Sequence, residues 1–166
     1  LDGLLDDVEG ISLSNPPKIR LLLGGAATDE PELVESMESM GATFVADTLC
    51  FGSRAHWRSS RVNGEDPIRI LAEQIMENTL CPRMVEMFDQ RIEKLRAIAE
   101  RAQVDGVVLV HNKFCDVHSI DNAHLRLRLE EAGMPVLLLE KEYGAIADRG
   151  RIATRMQAFV ERIGER

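Results

Sequence analysis

The chain has 166 residues, of which 45% are hydrophobic and 29% are charged, and its formal net charge is −8 at pH 7. This length suits one globular domain with a substantial core rather than two domains. The acidic balance argues against nucleic acid as a partner, because phosphate binding needs clustered Lys and Arg. No apolar run approaches the roughly 18 residues that a membrane span needs, and the first residues lack the basic region of a signal peptide, so we expect a cytoplasmic protein.

Residues 1–17 are expected to connect this domain to an upstream one. The run Asn15-Pro16-Pro17 interrupts regular structure, because proline fixes φ and biases the preceding residue toward extended geometry. Because the chain begins at Leu1 and not at Met, we expect it to be part of a longer polypeptide. Residues 18–166 are then predicted to form a C-terminal α/β domain.

The first half of this domain reads as strand, helix, strand and a long loop. The apolar run 19–23 ends at two glycines and is typical of a buried strand. Asp29, Glu30 and Pro31 then predict the start of a helix. The run 42–46 predicts a second strand, and the loop that follows it extends to about residue 65. A loop of this length inside a compact domain is usually functional or disordered.

The second half continues the alternation of helices and strands. Helices are predicted over 67–77, 84–103, 121–132 and 149–162, and strands over 107–110 and 135–139. Such alternation predicts a four-stranded parallel sheet of the flavodoxin or Rossmann type, in three layers with helices on both faces. We expect the strand order 2-1-3-4, with right-handed crossovers.

Three cysteines, Cys50, Cys81 and Cys115, are the main candidates for a functional site. In open parallel sheets, ligands bind beyond the carboxyl ends of the strands, where Cys50 and Cys115 are predicted to lie. Cys81 lies at a helix break and either reaches that edge or is remote from it. The sequence contains no CxxC pair to support a zinc ribbon. The alternative is that all three are structural thiols, since free cysteine is often buried like a small hydrophobe.

Polar residues near two of these cysteines suggest further roles. Ser53 and Arg54 follow Cys50 and predict binding of a substrate phosphate or carboxylate through charge-assisted hydrogen bonds, although a solvated arginine fits as well. His111 and His118 bracket Cys115. This arrangement leaves open a zinc site or a Cys–His nucleophile, but the spacing matches no zinc motif and no group orients a base.

Several segments, in order along residues 18–164, resemble the family of 2-hydroxyacyl-CoA dehydratases and benzoyl-CoA reductases. They match the family's LCxGSR, KFCD and PVLLLE patterns and its proline- and cysteine-containing break. The segments are Leu49–Arg54, Thr79–Pro82, Val104–Val108 with Lys113–Asp116, and Pro135–Glu140 with Tyr143 and with Arg151, Thr154, Arg155, Ala158 and Phe159. Together they are specific, although no single one is. The sequence departs from the pattern at Val117, where many members have proline.

The resemblance implies a subunit of an oxygen-sensitive iron–sulfur enzyme of anaerobic metabolism that acts on CoA thioesters. Members use single-electron ketyl chemistry, with electrons from an ATP-dependent activator, and pair with a homologous second subunit. The resemblance makes Cys115 a ligand of a 4Fe-4S cluster and makes Cys50 and Cys81 further cofactor-binding candidates. Other ligands come from the upstream domain, so the isolated chain is expected to be inactive and to lack the cluster.

Two alternatives remain at the level of sequence. The run Glu140–Tyr143 slightly favours a benzoyl-CoA reductase, an oxidoreductase, over a 2-hydroxyacyl-CoA dehydratase, a lyase. The acidic composition, together with the absence of a complete local catalytic set, also fits a non-catalytic flavodoxin-like module that docks another subunit.

Overall fold

The computed structural model describes residues 11, 17–28, 30–56, 66–78, 80–142 and 149–165. Its centre is a four-stranded parallel sheet with the order β2-β1-β3-β4. The strands are β1 Arg20–Gly25, β2 Thr43–Asp47, β3 Gly106–Asn112 and β4 Val136–Lys141. Both the predicted fold class and the predicted strand order are confirmed.

Five α-helices in the described part connect and cover the strands. They are α1 Pro31–Glu38, α2 Pro67–Asn78, α3 Phe88–Arg101, α4 Asp116–Glu131 and α5 Arg149–Gly164, and two short 3-10 turns span Ser53–His56 and Val85–Met87. Helices α1 and α5 pack on one face of the sheet, and α3 and α4 pack on the other. The result is the three-layer arrangement that the alternating pattern predicts.

The two inner strands bury both faces, which explains their uninterrupted apolar sequences. In β3, Val107 and Leu109 contribute to the core beneath α3 and α4, whereas Val108 and Val110 face α1 and α5. These four side chains are at most 1% exposed. Burying each side chain of this size contributes roughly 1.5–3 kcal/mol to the stability of the fold.

Helix α4 begins earlier than the sequence prediction. It starts at Asp116, with Cys115 as its N-cap, rather than near Asp121. The acidic Asp116 lies in the first turn, where it complements the positive end of the helix. Asp121 does not cap the helix but lies inside it and is 7% exposed. The predicted start was wrong because the turn after β3 is short, and the helix begins directly after Cys115.

One other predicted helix start differs from the structure, whereas the start predicted at Glu30 and Pro31 agrees with α1. The single helix predicted over 84–103 is divided into a 3-10 turn, Val85–Met87, and helix α3 from Phe88 onward. At α1 the N-cap is Glu30, which makes no side-chain capping bond. Its carboxylate instead accepts a hydrogen bond of 2.8 Å from Lys141, which is 3% exposed at the end of β4.

Some predictions fall on residues outside the described part of the chain. They include most of the connector 1–17, loop residues 57–65 and Tyr143. Within the described ranges, no helix combines the length and the apolar character that crossing a bilayer requires.

Candidate functional site

Cys115 lies at the carboxyl edge of the sheet, directly after β3. The turn between β3 and α4 places Phe114 at φ +66°, a left-handed conformation that is rare for a bulky residue. The Cys115 amide donates to the carbonyl of Asn112 at 3.0 Å, which closes the turn and makes Cys115 the N-cap of α4. The thiol is free and half-buried. A negative charge on this sulfur would therefore lie at the positive end of a 16-residue helix.

His118 contacts the Cys115 thiol from one turn further along α4. Its Nδ1 lies 3.5 Å from the sulfur. Burial lowers the pKa of His118 below its ordinary value, and the charges of Arg54, His111 and Arg83 act in the same direction, against Asp121. This lowered pKa favours the neutral form of the His118 ring. Its Nε2 is buried and has no hydrogen-bond partner among the described residues.

Cys50 is half-buried in a compact loop that Asp47 organises. The Asp47 carboxylate accepts hydrogen bonds from the amides of Leu49, at 3.1 Å, and Ser53, at 3.0 Å. The Ser53 hydroxyl in turn donates to the Asp47 carbonyl at 2.8 Å. Ser53 therefore serves the loop itself in this structure, and its predicted contact with substrate stays a prediction.

Cys81 lies near the same edge, which the sequence alone left open. Arg54, from the Cys50 loop, donates to the carbonyl of Leu80 at 3.3 Å. Arg91 on α3 donates to the carbonyl of Cys81 at 3.1 Å and also forms an ion pair with Asp121 on α4. The segment that carries Cys81 is thus tied both to the Cys50 loop and to the helix that Cys115 caps.

A small cavity, partly open to solvent, lies where these segments meet. The cavity is lined by Arg54, Arg91 and Asn122, together with Gly25 at the end of β1 and Thr48 directly after β2. Asn122 is fully buried, and its Oδ1 and the Nε of Arg91 have no hydrogen-bond partner among the described residues. The cavity lies where the order of strands reverses between β1 and β3, the usual position of ligands in open α/β sheets.

The described residues do not supply a complete metal site. No group of three His, Cys, Asp or Glu side chains among them is placed to hold one metal ion. A zinc site made of Cys115 and its flanking histidines therefore has no support in the described part of the chain. Buried polar atoms without a described partner nevertheless surround the Cys115 turn, namely His111 Nδ1, Asn112 Oδ1 and His118 Nε2. Among the described residues, the Cys115 thiol is therefore a single potential metal ligand, with polar neighbours but no second ligand set around it.

Comparison with known proteins identifies the family. Residues 1–163 match the profile described as 2-hydroxyglutaryl-CoA dehydratase, D-component. The chain belongs to this family. It is 26% identical over 158 residues to the (R)-phenyllactyl-CoA dehydratase beta subunit of Clostridium sporogenes, covering 95% of this chain and 41% of that protein. It is 27% identical over 157 residues to "Putative dehydratase subunit YjiM" of Escherichia coli (strain K12), covering 92% of this chain and 39% of that protein. The chain thus spans about two fifths of the length of these curated relatives.

Sequence reasoning missed the polar residues that join α3 to α4. Arg91, Asp121 and Asn122 are all buried, yet none was a candidate. One signal was present in the sequence: Arg91 precedes Leu95 by four positions and Asp121 precedes Leu125 by four, so each charged residue lies on the apolar face of its helix. Opposite charges on two such faces indicate a buried ion pair.

Replacing Phe114 with asparagine is expected to stabilise the chain by about 0.5–1 kcal/mol. A left-handed φ costs a bulky residue about 1–2 kcal/mol, and asparagine tolerates it better. The Lys113 Nζ lies 5.5 Å from the centroid of the Phe114 ring. Losing this cation–π contact offsets about 0.5 kcal/mol of that gain. Urea denaturation measures the difference. Phe51→Asn is the matched control, because Phe51 is also 90% exposed but its φ is not positive. An equal effect of both substitutions would contradict backbone strain at Phe114.

Proposed function

We propose that this chain is the C-terminal α/β domain of a 2-hydroxyacyl-CoA dehydratase subunit, and that Cys115 is one ligand of a 4Fe-4S cluster completed by residues outside the chain. The observation that carries the proposal is the position of the Cys115 thiol. It is free, half-buried and located at the carboxyl edge of the sheet, at the N-terminus of α4. Membership of the dehydratase family supplies the class of reaction.

The donor chemistry of the site fits one corner of an iron–sulfur cluster. Iron–sulfur clusters take thiolate ligands, and hydrogen bonds to their sulfurs tune the reduction potential. Cys115 offers a thiolate at a helix N-terminus, and the Nδ1 of His118 lies within reach of its sulfur. Because the described residues lack a set of three donors, the remaining ligands are assigned to another segment of the complete subunit.

If bound, the cluster would provide single-electron (ketyl) chemistry at the thioester carbonyl of an acyl-CoA; because loss of water is redox-neutral overall, the electron would return to the cluster at the end of the reaction. The residues of this chain would hold and shield that site. Arg54 carries a positive charge at the rim of the cavity, where it would bind a phosphate or carboxylate of the substrate. Ser53 would support Arg54 through the loop that it closes, rather than through direct contact with substrate.

Cys50 and Cys81 receive weaker roles in this proposal. Both are half-buried and free, and both lie on segments linked to the cavity through Arg54. The backbone carbonyls of the Cys81 segment are occupied by Arg54 and Arg91, which fixes the segment at the edge of the sheet. Either thiol would bind the cofactor only if the completed site brings iron to it.

Two exposed aromatic residues at the carboxyl edge of the sheet support the proposed partner chains. Phe51 and Phe114, each next to a cysteine, are both 90% exposed. Covering these two aromatic side chains would remove apolar area from water, which would favour binding of another chain at this edge. We assign this surface to the rest of the subunit and to a homologous second subunit, with an ATP-dependent activator as electron donor and an acyl-CoA as substrate.

The dehydratase reaction is preferred to reduction of an aromatic acyl-CoA ring. The family description and the names of both relatives refer to dehydratases. The sequence run Glu140–Tyr143, which suggests a benzoyl-CoA reductase, is a weaker argument. Assay of the complete enzyme with its activator on both a 2-hydroxyacyl-CoA and benzoyl-CoA would separate the two activities.

The test is the Cys115→Ser variant of the complete subunit, purified without oxygen together with its partner. We expect the wild type to bind iron and sulfide and to show cluster absorbance. Cys115→Ser should lose most of the iron and at least a hundredfold of the dehydratase activity, because an alkoxide or hydroxyl is a poor substitute for a thiolate ligand. Iron content, visible absorbance and kcat are the measurements.

Cys50→Ser and Cys81→Ser are the matched controls, since each removes a half-buried free thiol from the same edge of the sheet. Full iron content in both, with loss in Cys115→Ser alone, would make Cys115 the ligand from this domain. A colourless wild-type subunit after anaerobic reconstitution with iron and sulfide would refute the proposed function.

A further inference from the structure

The contact between His118 and Cys115 is built into the first turn of α4. Cys115 is the N-cap, and His118 lies three positions later, on the same side of the helix. The Cys115 carbonyl also accepts the amide of Ser119 at 2.9 Å, so the helix itself fixes the relative position of the two side chains. A separation of 3.5 Å between Sγ and Nδ1 is within hydrogen-bond range for sulfur.

The direction of this hydrogen bond follows from the chemistry of the two groups. A thiolate has no proton to donate, so a cysteine that ligates iron can only accept a hydrogen bond from the ring. The ring nitrogen in contact with the sulfur is Nδ1, so Nδ1–H is the donor. Nε2 is buried and has no partner among the described residues.

We infer that His118 is a positioning residue, which donates its Nδ1–H to the Cys115 thiolate and thereby raises the reduction potential of the cluster. The inference rests on the proposed function, because the direction of the hydrogen bond follows from a Cys115 thiolate that ligates iron. A donor to a ligand sulfur stabilises the additional negative charge of the reduced cluster, which moves the potential upward. His118 is not predicted to touch the substrate or to bind iron itself.

The experiment uses the complete subunit with its partner and its cluster, prepared without oxygen. His118→Ala removes the donor, whereas His118→Asn keeps an amide N–H close to the position of Nδ1. His124→Ala is the matched control on the same helix, because the His124 ring packs edge-on against Phe88, with 5.7 Å between centroids, and not against a cysteine.

Redox titration followed by electron paramagnetic resonance measures the midpoint potential of each variant. We expect His118→Ala to retain its iron and to shift to a more negative potential, His118→Asn to recover most of the shift, and His124→Ala to match the wild type. An unchanged potential in His118→Ala, with iron retained, overturns the inference while leaving the proposed function intact.

A second measurement reads the hydrogen bond itself. Nitrogen-15 resonances of labelled histidine report which ring nitrogen carries a proton. In the complete subunit with its oxidised cluster, we expect His118 to carry a proton on Nδ1, the nitrogen in contact with the Cys115 sulfur. A His118 ring without a proton on Nδ1 in this iron-bound wild type overturns the inference and leaves the proposed function intact. A wild-type subunit that binds no iron refutes the proposed function, and with it the Cys115 thiolate on which the inference rests.

Discussion

Replacing Asp121 with alanine is expected to lower the free energy of unfolding by about 3–5 kcal/mol, because it leaves a buried guanidinium without its counter-charge. The side chains of Arg91 and Asp121 are each 8% exposed where they pair between α3 and α4. Without the Asp121 carboxylate, the buried guanidinium would keep its charge but have no counter-charge. Urea denaturation of the chain measures the loss.

Glu130→Ala is the matched control, since it breaks an ion pair on the same helix but at the surface. The Arg126 and Glu130 side chains are 47% and 35% exposed, and the two groups are 3.0 Å apart at i,i+4 spacing. An exposed helical pair of this kind contributes about 0.3–0.5 kcal/mol. A loss in Asp121→Ala no greater than that in Glu130→Ala would contradict a buried, charged pair.

A double variant separates the charge of Arg91 from its hydrogen bonds. Arg91→Met with Asp121→Leu replaces both charges with apolar groups, which is often neutral or stabilising for a buried pair. Arg91 also donates to the carbonyls of Cys81, at 3.1 Å, and Met84, at 2.8 Å. The double variant should therefore recover most of the stability while the Cys81 thiol is alkylated faster. Unchanged alkylation would mean that Arg91 does not hold the Cys81 segment in place.

The strands and the strand order could be predicted because a few local patterns determine them. An inner strand of a parallel sheet is buried on both faces, so the run Val107–Val110 has no polar interruption. The alternation with helices then limits the topology to a few arrangements, of which the order β2-β1-β3-β4 is the one found. The position of Cys115 after β3 followed from the same reasoning.

The pairing of Asp121 and the position of Cys81 could not be obtained in this way. Asp121 pairs with Arg91, 30 residues away in sequence, and the pattern of one helix alone does not identify its partner. Cys81 is fixed at the edge through bonds from Arg91 to its carbonyl and from Arg54 to that of Leu80, 26 residues away. Both outcomes depend on contacts between elements, which the periodicity of a single element does not encode.

The backbone of β1 approaches β3 very closely at Gly25, which is one of the residues lining the cavity between the cysteine loops. Gly25 has φ +103°, and the Ala26 amide donates to the Val110 carbonyl at 2.8 Å. A Cβ atom on Gly25 would lie 2.1 Å from that carbonyl oxygen, where no side chain can move aside because the obstacle is backbone. Gly25 also lines the cavity, so a shift of the strand would change its shape.

Gly25→Ala is therefore expected to destabilise the chain by about 3–4 kcal/mol, of which about 1–2 is backbone strain and the rest is steric overlap. Gly133→Ala is the control for strain alone, since Gly133 has φ +81° but no atom within 4 Å of the position that a Cβ would take, and it should cost about 1 kcal/mol. Gly150→Ala, in α5 with neither feature, should be neutral or stabilising by up to about 1 kcal/mol. Urea denaturation of the three variants should rank them in this order. Equal losses at Gly25 and Gly133 would show that β1 can move away from Val110, and the edge that carries the cysteines would then be far less rigid than its hydrogen bonds indicate.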